Sequence, residues 1–185
     1  SAALLIRLLR DLGLAAGYYI PDRLLEGYGP SGDALVRLGA AGNKLIVTVD
    51  CGAMAYDALA AAKSAGIEVI VVDHHKCAAE LPTAFALVNP NRLDEADAAA
   101  SHGHLAAVGV AFLLGAAIIR TLRTRGFFAN RPEPKLMELL DLVALGKALP
   151  QKRVGKRAVI GERGGALEAE IHGDDDGAGD DNLLR

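Results

Sequence analysis

A chain of 185 residues is long enough for one domain with a substantial core and too short for two comfortable ones. Apolar residues make up 51% of it, with many Ala and Gly and no Trp, a mixture suited to helices packed closely on a sheet. The formal net charge of −3 excludes a duplex binder held by a broad basic face but leaves room for a metal-lined slot.

In residues 1–12 leucines recur at helical spacing, with Arg7, Arg10 and Asp11 on the polar side, which predicts a helix stopped by Gly13. Its charged residues interrupt the apolar run, so it does not read as a secretory signal. A helix is an unusual first element for an α/β domain, where a strand normally precedes it. Residues 17–20 are a short strand candidate closed by Pro21. The next stretch, PDRLLEGYG at residues 21–29, carries Arg23 and Glu26 among turn formers and sets Tyr28 between two glycines; taken alone, it is a solvated loop with a local ion pair. Residues 33–41 predict a brief helix, capped by Ser31 or Asp33 and ended by Gly42.

Residues 45–75 organise the rest. LIVTV and IEVIVV are apolar throughout and rich in Val and Ile, as strands covered on both faces of a parallel sheet should be. The helix between them supplies the crossover that parallel strands need. Each strand ends in an acidic residue, Asp50 after the first and Asp73, with His74 and His75, after the second. The carboxyl ends of parallel strands share one edge of an open sheet, where ligands bind, so these four residues are expected in one crevice. A lone strand-end Asp often just caps the next helix. Two of them with a His-His pair suit a divalent metal that activates water, and imidazole beside carboxylate tilts the choice between Mn²⁺ and Mg²⁺ toward Mn²⁺.

The two cysteines, Cys51 and Cys77, are too few for a disulfide framework, which points to a reducing, cytoplasmic setting. They flank the proposed site, yet their spacing matches no common zinc motif. Beyond it, residues 85–88 read as another strand, ending at Asn89-Pro90-Asn91. Arg92 either binds phosphate or pairs with Asp94 or Glu95. His102 and His104 precede a helix that starts near Leu105; they suit a metal or phosphate at the helix start, or simple capping. That helix runs to about Arg125, and its apolar run at residues 105–119 falls short of the roughly 20 residues a membrane span needs. Phe127 and Phe128 offer stacking surfaces for bases, although core packing of at least one is expected. Residues 135–145 read as an amphipathic helix. After Gly146 comes a basic block, KALPQKRVGKRAVIGERGG, then an acidic Gly-rich end expected to be poorly ordered.

The DHH at residues 73–75 after a hydrophobic strand, with TVDCG one βαβ unit earlier, resembles the DHH phosphoesterase superfamily. The words YYIPDRLLEGYG at residues 18–29, LVNPNR at 87–92, GHLAAVGVAFLL at 103–114 and RPEPKLMELLDLVALG at 131–146 narrow the resemblance to the RecJ family of single-strand-specific 5′ to 3′ DNA exonucleases. The resemblance implies an α/β fold, a parallel sheet with helices on both faces, over residues 1–146, and a divergent tail over 147–185. It implies a metal-dependent phosphodiesterase in repair and recombination, acting on single-stranded DNA with no membrane role, and with a single-strand-binding protein or a helicase as partner.

Carried onto this chain, the resemblance makes Asp50 a bridge between two metal ions and His74 a ligand of one. His75 contacts the scissile phosphate or a metal-bound water. Asp73 stands behind them and fixes a neighbouring histidine. Arg23, Tyr28, Arg92 and His104 are its candidate substrate contacts. The family also carries an Asp-rich motif on a strand before the first helix and a further Asp after the last. The first falls before residue 1, and no Asp occupies the place of the second. The chain alone is therefore expected to be inactive or nearly so. The alternatives are a DHH enzyme for short oligonucleotides, cyclic dinucleotides or pyrophosphate, and a non-catalytic remnant that binds nucleic acid or protein through its basic block.

Overall fold

The structure is a computed structural model and describes residues 1–94, 101–148 and 158–163. Helix α1 (Ala2–Asp11) ends as Gly13 takes φ +88°, where the amides of Gly13 and Leu14 reach back to the carbonyls of Arg10 and Leu9. Glycine takes that backbone without strain, which is why the helix stops there. Strand β1 (Ala16–Tyr19), the single turn α2 (Arg23–Glu26) and α3 (Gly32–Ala40) follow. Of the two expected caps of α3 it is Ser31 that serves, its hydroxyl accepting from the Ala34 amide at 3.2 Å. Next come β2 (Asn43–Val49), α4 (Tyr56–Ser64), β3 (Glu68–Val72) and β4 (Ala86–Val88). The chain continues through α5 (Ala107–Thr124), a 3-10 turn (Leu136–Leu139), α6 (Leu140–Ala148) and β5 (Ala158–Arg163).

These strands form one sheet in the order β1-β5-β2-β3-β4. β2, β3 and β4 pair in parallel, and β1 runs the same way; β5 lies antiparallel between β1 and β2. The expected parallel α/β sheet is present, with one strand of opposite direction second from its β1 edge. That strand comes from the basic block expected to lie outside the domain. The reason is hydrogen bonding: β1 and β2 stand one strand apart, and their facing amides and carbonyls need a backbone partner. Of the remaining tail, Lys147 and Ala148 close α6 and the rest lies outside the described residues.

Alternate residues of β2 and β3 feed two cores. Val47, Val49 and Val72 face α1 and α5, where Leu4, Leu5, Leu8, Val108, Ala111 and Ile119 are buried. Ile46, Val69 and Val71 face α3 and α4, against Leu35, Leu59 and Ala62. Helices on both faces explain why both strands are apolar throughout, and each fully buried Leu or Val stabilises the fold by about 1.5–3 kcal/mol. By length and composition α5 is apolar enough to cross a membrane. Here it packs one face into the first core. Phe127 and Phe128 also pack against that core, edge to face at 5.3 Å, with Arg131 over the Phe127 ring. The expected core role holds for both phenylalanines.

Candidate metal centre

β2 and β3 end level with one another, Val49 beside Val72, and each hands the chain to an aspartate. The Asp50 amide donates to the Val72 carbonyl at 2.9 Å and the Asp73 amide to the Val88 carbonyl at 3.0 Å, so the ladder runs one step past each strand. The chain then leaves the sheet sharply. Asp50 takes φ +64° and Gly52 φ +109°. A left-handed non-glycine residue costs about 1–3 kcal/mol and is held only where the surroundings fix it. Here the Thr48 hydroxyl, fully buried, donates to the Cys51 carbonyl at 3.1 Å and pins the turn.

Asp73 is 1% exposed and enclosed by donors. One oxygen accepts from the Ala53 amide at 3.0 Å; the other accepts from the His74 amide at 2.8 Å and the His75 amide at 3.3 Å, and lies 2.6 Å from His75 Nδ1. A carboxylate suits that setting because it only accepts. The contact makes Nδ1 the donor nitrogen of His75, whose side chain is 43% exposed. His74 turns toward Asp50, its Nε2 3.1 Å from Oδ1. That hydrogen bond, with the charge of Asp50 and a backbone hydrogen bond to Leu105, holds the His74 pKa above the ordinary imidazole value against the opposing effect of burial.

Ligand atoms of Asp50, Asp73, His74 and His75 all lie within 4.8 Å of one another. Two neighbouring ligands on an octahedral ion with bonds of about 2.1 Å are separated by about 3 Å. The 3.1 Å between Asp50 Oδ1 and His74 Nε2 fits that spacing, with an ion in place of the shared proton. The residues present therefore fit a divalent cation. Cys51 and Cys77 are buried free thiols outside this group, and burial raises the Cys77 pKa.

Tyr28 reaches the same place. It lines, with Pro30, Gly52 and Met54, a crevice of about 240 Å³ that also contains Asp73 and His75. The stretch that carries it is largely exposed, as expected, but holds the helical turn α2 rather than being loop throughout. Asp22 caps α2 through the Leu24 amide at 2.7 Å, and Glu26 receives the Tyr19 hydroxyl. Arg37 donates to that same Tyr19 oxygen at 2.8 Å and lies 3.6 Å from Glu26. Glu26 finds its cation on α3 because folding brings that helix alongside, a pairing no local pattern reveals. Burial first, then Glu26, raises the Tyr19 pKa.

The other candidates are placed differently. Arg23 opens α2 with its backbone, and its side chain lies outside the described residues. Arg92 pairs with Asp94 at 2.6 Å and donates to the Leu87 carbonyl at 3.0 Å, so of its two expected roles the ion pair is formed; Glu95 lies outside the described residues. His104 is exposed and its Nδ1 lies 3.0 Å from the Ser101 carbonyl, a contact within the turn before α5 and outside the donor group; the expected cap is not formed, since Ala106 stands at the N-cap of α5 without a side-chain hydrogen bond. Asn89 and Asn91, which follow β4, also belong to the surroundings of the site; two amides flanking a proline directly after a strand are the sequence sign of a side-chain-built turn.

Residues 1–147 match the DHH family, N-terminal domain. The chain belongs to the DHH family. Among its relatives are the single-stranded-DNA-specific exonucleases RecJ of Dickeya dadantii and Escherichia coli, each 44% identical over 149 residues. That of Bacillus subtilis is 37% identical over 146 residues. Each alignment takes in 79% of this DHH chain, but 25% of the first two proteins and 16% of the third. The chain thus spans a quarter or less of these relatives. The crystal structure of exonuclease RecJ bound to manganese resembles the fold with a TM-score of 0.61 and 33% identity, covering 79% of this chain and 34% of that one. The DHH match ends before β5, so the antiparallel strand lies outside the matched residues.

Proposed function

We propose that this DHH chain is part of a metal-dependent phosphodiesterase that removes nucleotides from the 5′ end of single-stranded DNA, in repair and recombination. The observation that carries this is the Asp50, Asp73, His74 and His75 cluster at the carboxyl ends of adjacent parallel strands, in a chain 44% identical to a single-stranded-DNA-specific exonuclease. Asp50 and His74 are the residues that would hold a cation, and nitrogen beside carboxylate favours manganese over magnesium. Such an ion supplies charge neutralisation at the phosphate and a nucleophile at neutral pH. His75, with Nδ1 held by Asp73, offers Nε2 to the phosphate or to a water beside it. Tyr28 offers an exposed aromatic face where a terminal base can stack. The free thiols suit a cytoplasmic setting.

The chain as it stands is expected to turn over slowly. Two cations close together need several carboxylates to offset their repulsion. Among the described residues the cluster has two, and Asp73 is already enclosed by hydrogen bonds. The test is a 5′-labelled single strand incubated with manganese, beside His74→Ala and a duplex of the same sequence. Slow trimming from the 5′ end, absent in the variant and on the duplex, supports the reading. Cleavage of dinucleotides alone, or trimming that survives His74→Ala, overturns it.

A further inference from the structure

The rings of His74 and His75 are neighbours, 4.6 Å apart between centroids at 54°. Successive side chains of a strand point to opposite faces, so two adjacent histidines can converge only if the backbone leaves the ladder. The carbonyls of both residues then lose their strand partners and need donors from elsewhere.

The close donors are two side-chain amides, and the Cys77 thiol adds a long contact of 3.9 Å to the His75 carbonyl. Asn89, 4% exposed, donates from Nδ2 to the His75 carbonyl at 2.8 Å, with the Cys77 sulfur 3.2 Å from the same nitrogen. Its Oδ1 accepts from the Asn91 amide at 2.9 Å. Asn91 donates from Nδ2 to the His74 carbonyl at 2.6 Å and to the Gly103 carbonyl at 3.1 Å. Carbonyls only accept, so both amide orientations are determined. Since β4 ends at Val88, whose carbonyl holds the Asp73 amide, the NPN segment begins directly beside the His-His step.

We propose that Asn89 and Asn91 are positioning residues of this site, a two-amide clasp that sets the direction of both imidazoles and ties the His74 backbone to the loop before α5. The proposal rests on the metal-nuclease reading above. Touching neither substrate nor metal, the asparagines act through the two carbonyls. Asn91→Asp places a carboxylate oxygen against two carbonyls at unchanged size, and Asn89→Ala removes the second donor.

Two readouts separate positioning from mere folding. In the metal-free protein, imidazole NMR signals of His74 and His75 are expected to shift in both variants. They stay in place in Leu59→Ala, a core variant on the opposite face of the sheet. In manganese titrations followed by calorimetry, the dissociation constant is expected to rise about tenfold or more in Asn91→Asp and Asn89→Ala, and to stay unchanged in Leu59→Ala. Wild-type affinity in both clasp variants, or a loss in Leu59→Ala equal to theirs, overturns the clasp while leaving the nuclease reading intact. If the unaltered chain binds no manganese, the metal reading fails, and the metal-free signals decide alone: unmoved imidazoles overturn the clasp, and shifted ones support it.

Discussion

Replacing Asp73 by Asn tests whether this carboxylate is the structural anchor of the site. The side chains have the same shape, but the amide brings an NH₂ group into a pocket built only of donors. In the better of its two orientations Nδ2 faces the Ala53 amide across 3.0 Å, while Oδ1 keeps the His74 and His75 amides at 2.8 and 3.3 Å. One charge-assisted hydrogen bond is lost, worth about 1.5–3 kcal/mol, and the surviving ones weaken. The Ala53 amide is left facing a donor in a buried place, a cost of about 1–3 kcal/mol that partly overlaps the first. A net loss of about 3 kcal/mol follows, or roughly 6–12 °C in Tm for a chain of this size. Urea denaturation with circular dichroism measures it directly. Asp50→Asn is the comparison, because Asp50 is 34% exposed and Asn tolerates its left-handed backbone; the expected loss is below about 1 kcal/mol. Equal losses in the two variants would refute the reading of Asp73 as the buried anchor and Asp50 as the more exposed, less structural of the two carboxylates.

Asp50→Asn and His74→Ala should each cut manganese affinity by at least tenfold while leaving the circular dichroism spectrum unchanged, read by calorimetry beside the denaturation curve. For the metal-free chain, the raised His74 pKa fixes the sign of the pH dependence. Stability from the His74 and Asp50 pair is complete below the unfolded imidazole value of about 6.5, and is lost as pH rises through the higher folded value. Tm should therefore fall across that window, and His74→Ala should flatten the slope. Manganese needs the neutral ring, so its affinity should change the opposite way and rise with pH. Gly52→Ala should cost roughly 2–4 kcal/mol in urea denaturation, since φ is +109° and a Cβ would stand 2.7 Å from Thr48 Oγ1 and 3.2 Å from Val71.

The βαβ unit that carries the site was legible in the sequence because its signals are local. Two Val- and Ile-rich runs, a helix between them, and an acidic residue ending each run suffice to place Asp50 and Asp73 side by side, since parallel pairing aligns strand ends. The DHH and EGYG words gave the family for the same reason. What each side chain does there depends on neighbours far along the chain. Asp73 became an anchor because Ala53 presents its amide, twenty residues earlier. Glu26 found Arg37 on α3, and Arg92 was taken by Asp94. Asn89 and Asn91 acquired a role only once folding set the NPN segment beside two carbonyls without strand partners. The same holds for β5, whose sequence looks like a basic tail and whose place is defined by a gap between β1 and β2. Periodicity along the chain decides which residues are buried and in which element. Which donor meets which acceptor is decided by tertiary packing, because every buried polar group must find a partner and the nearest one in space is seldom the nearest in sequence.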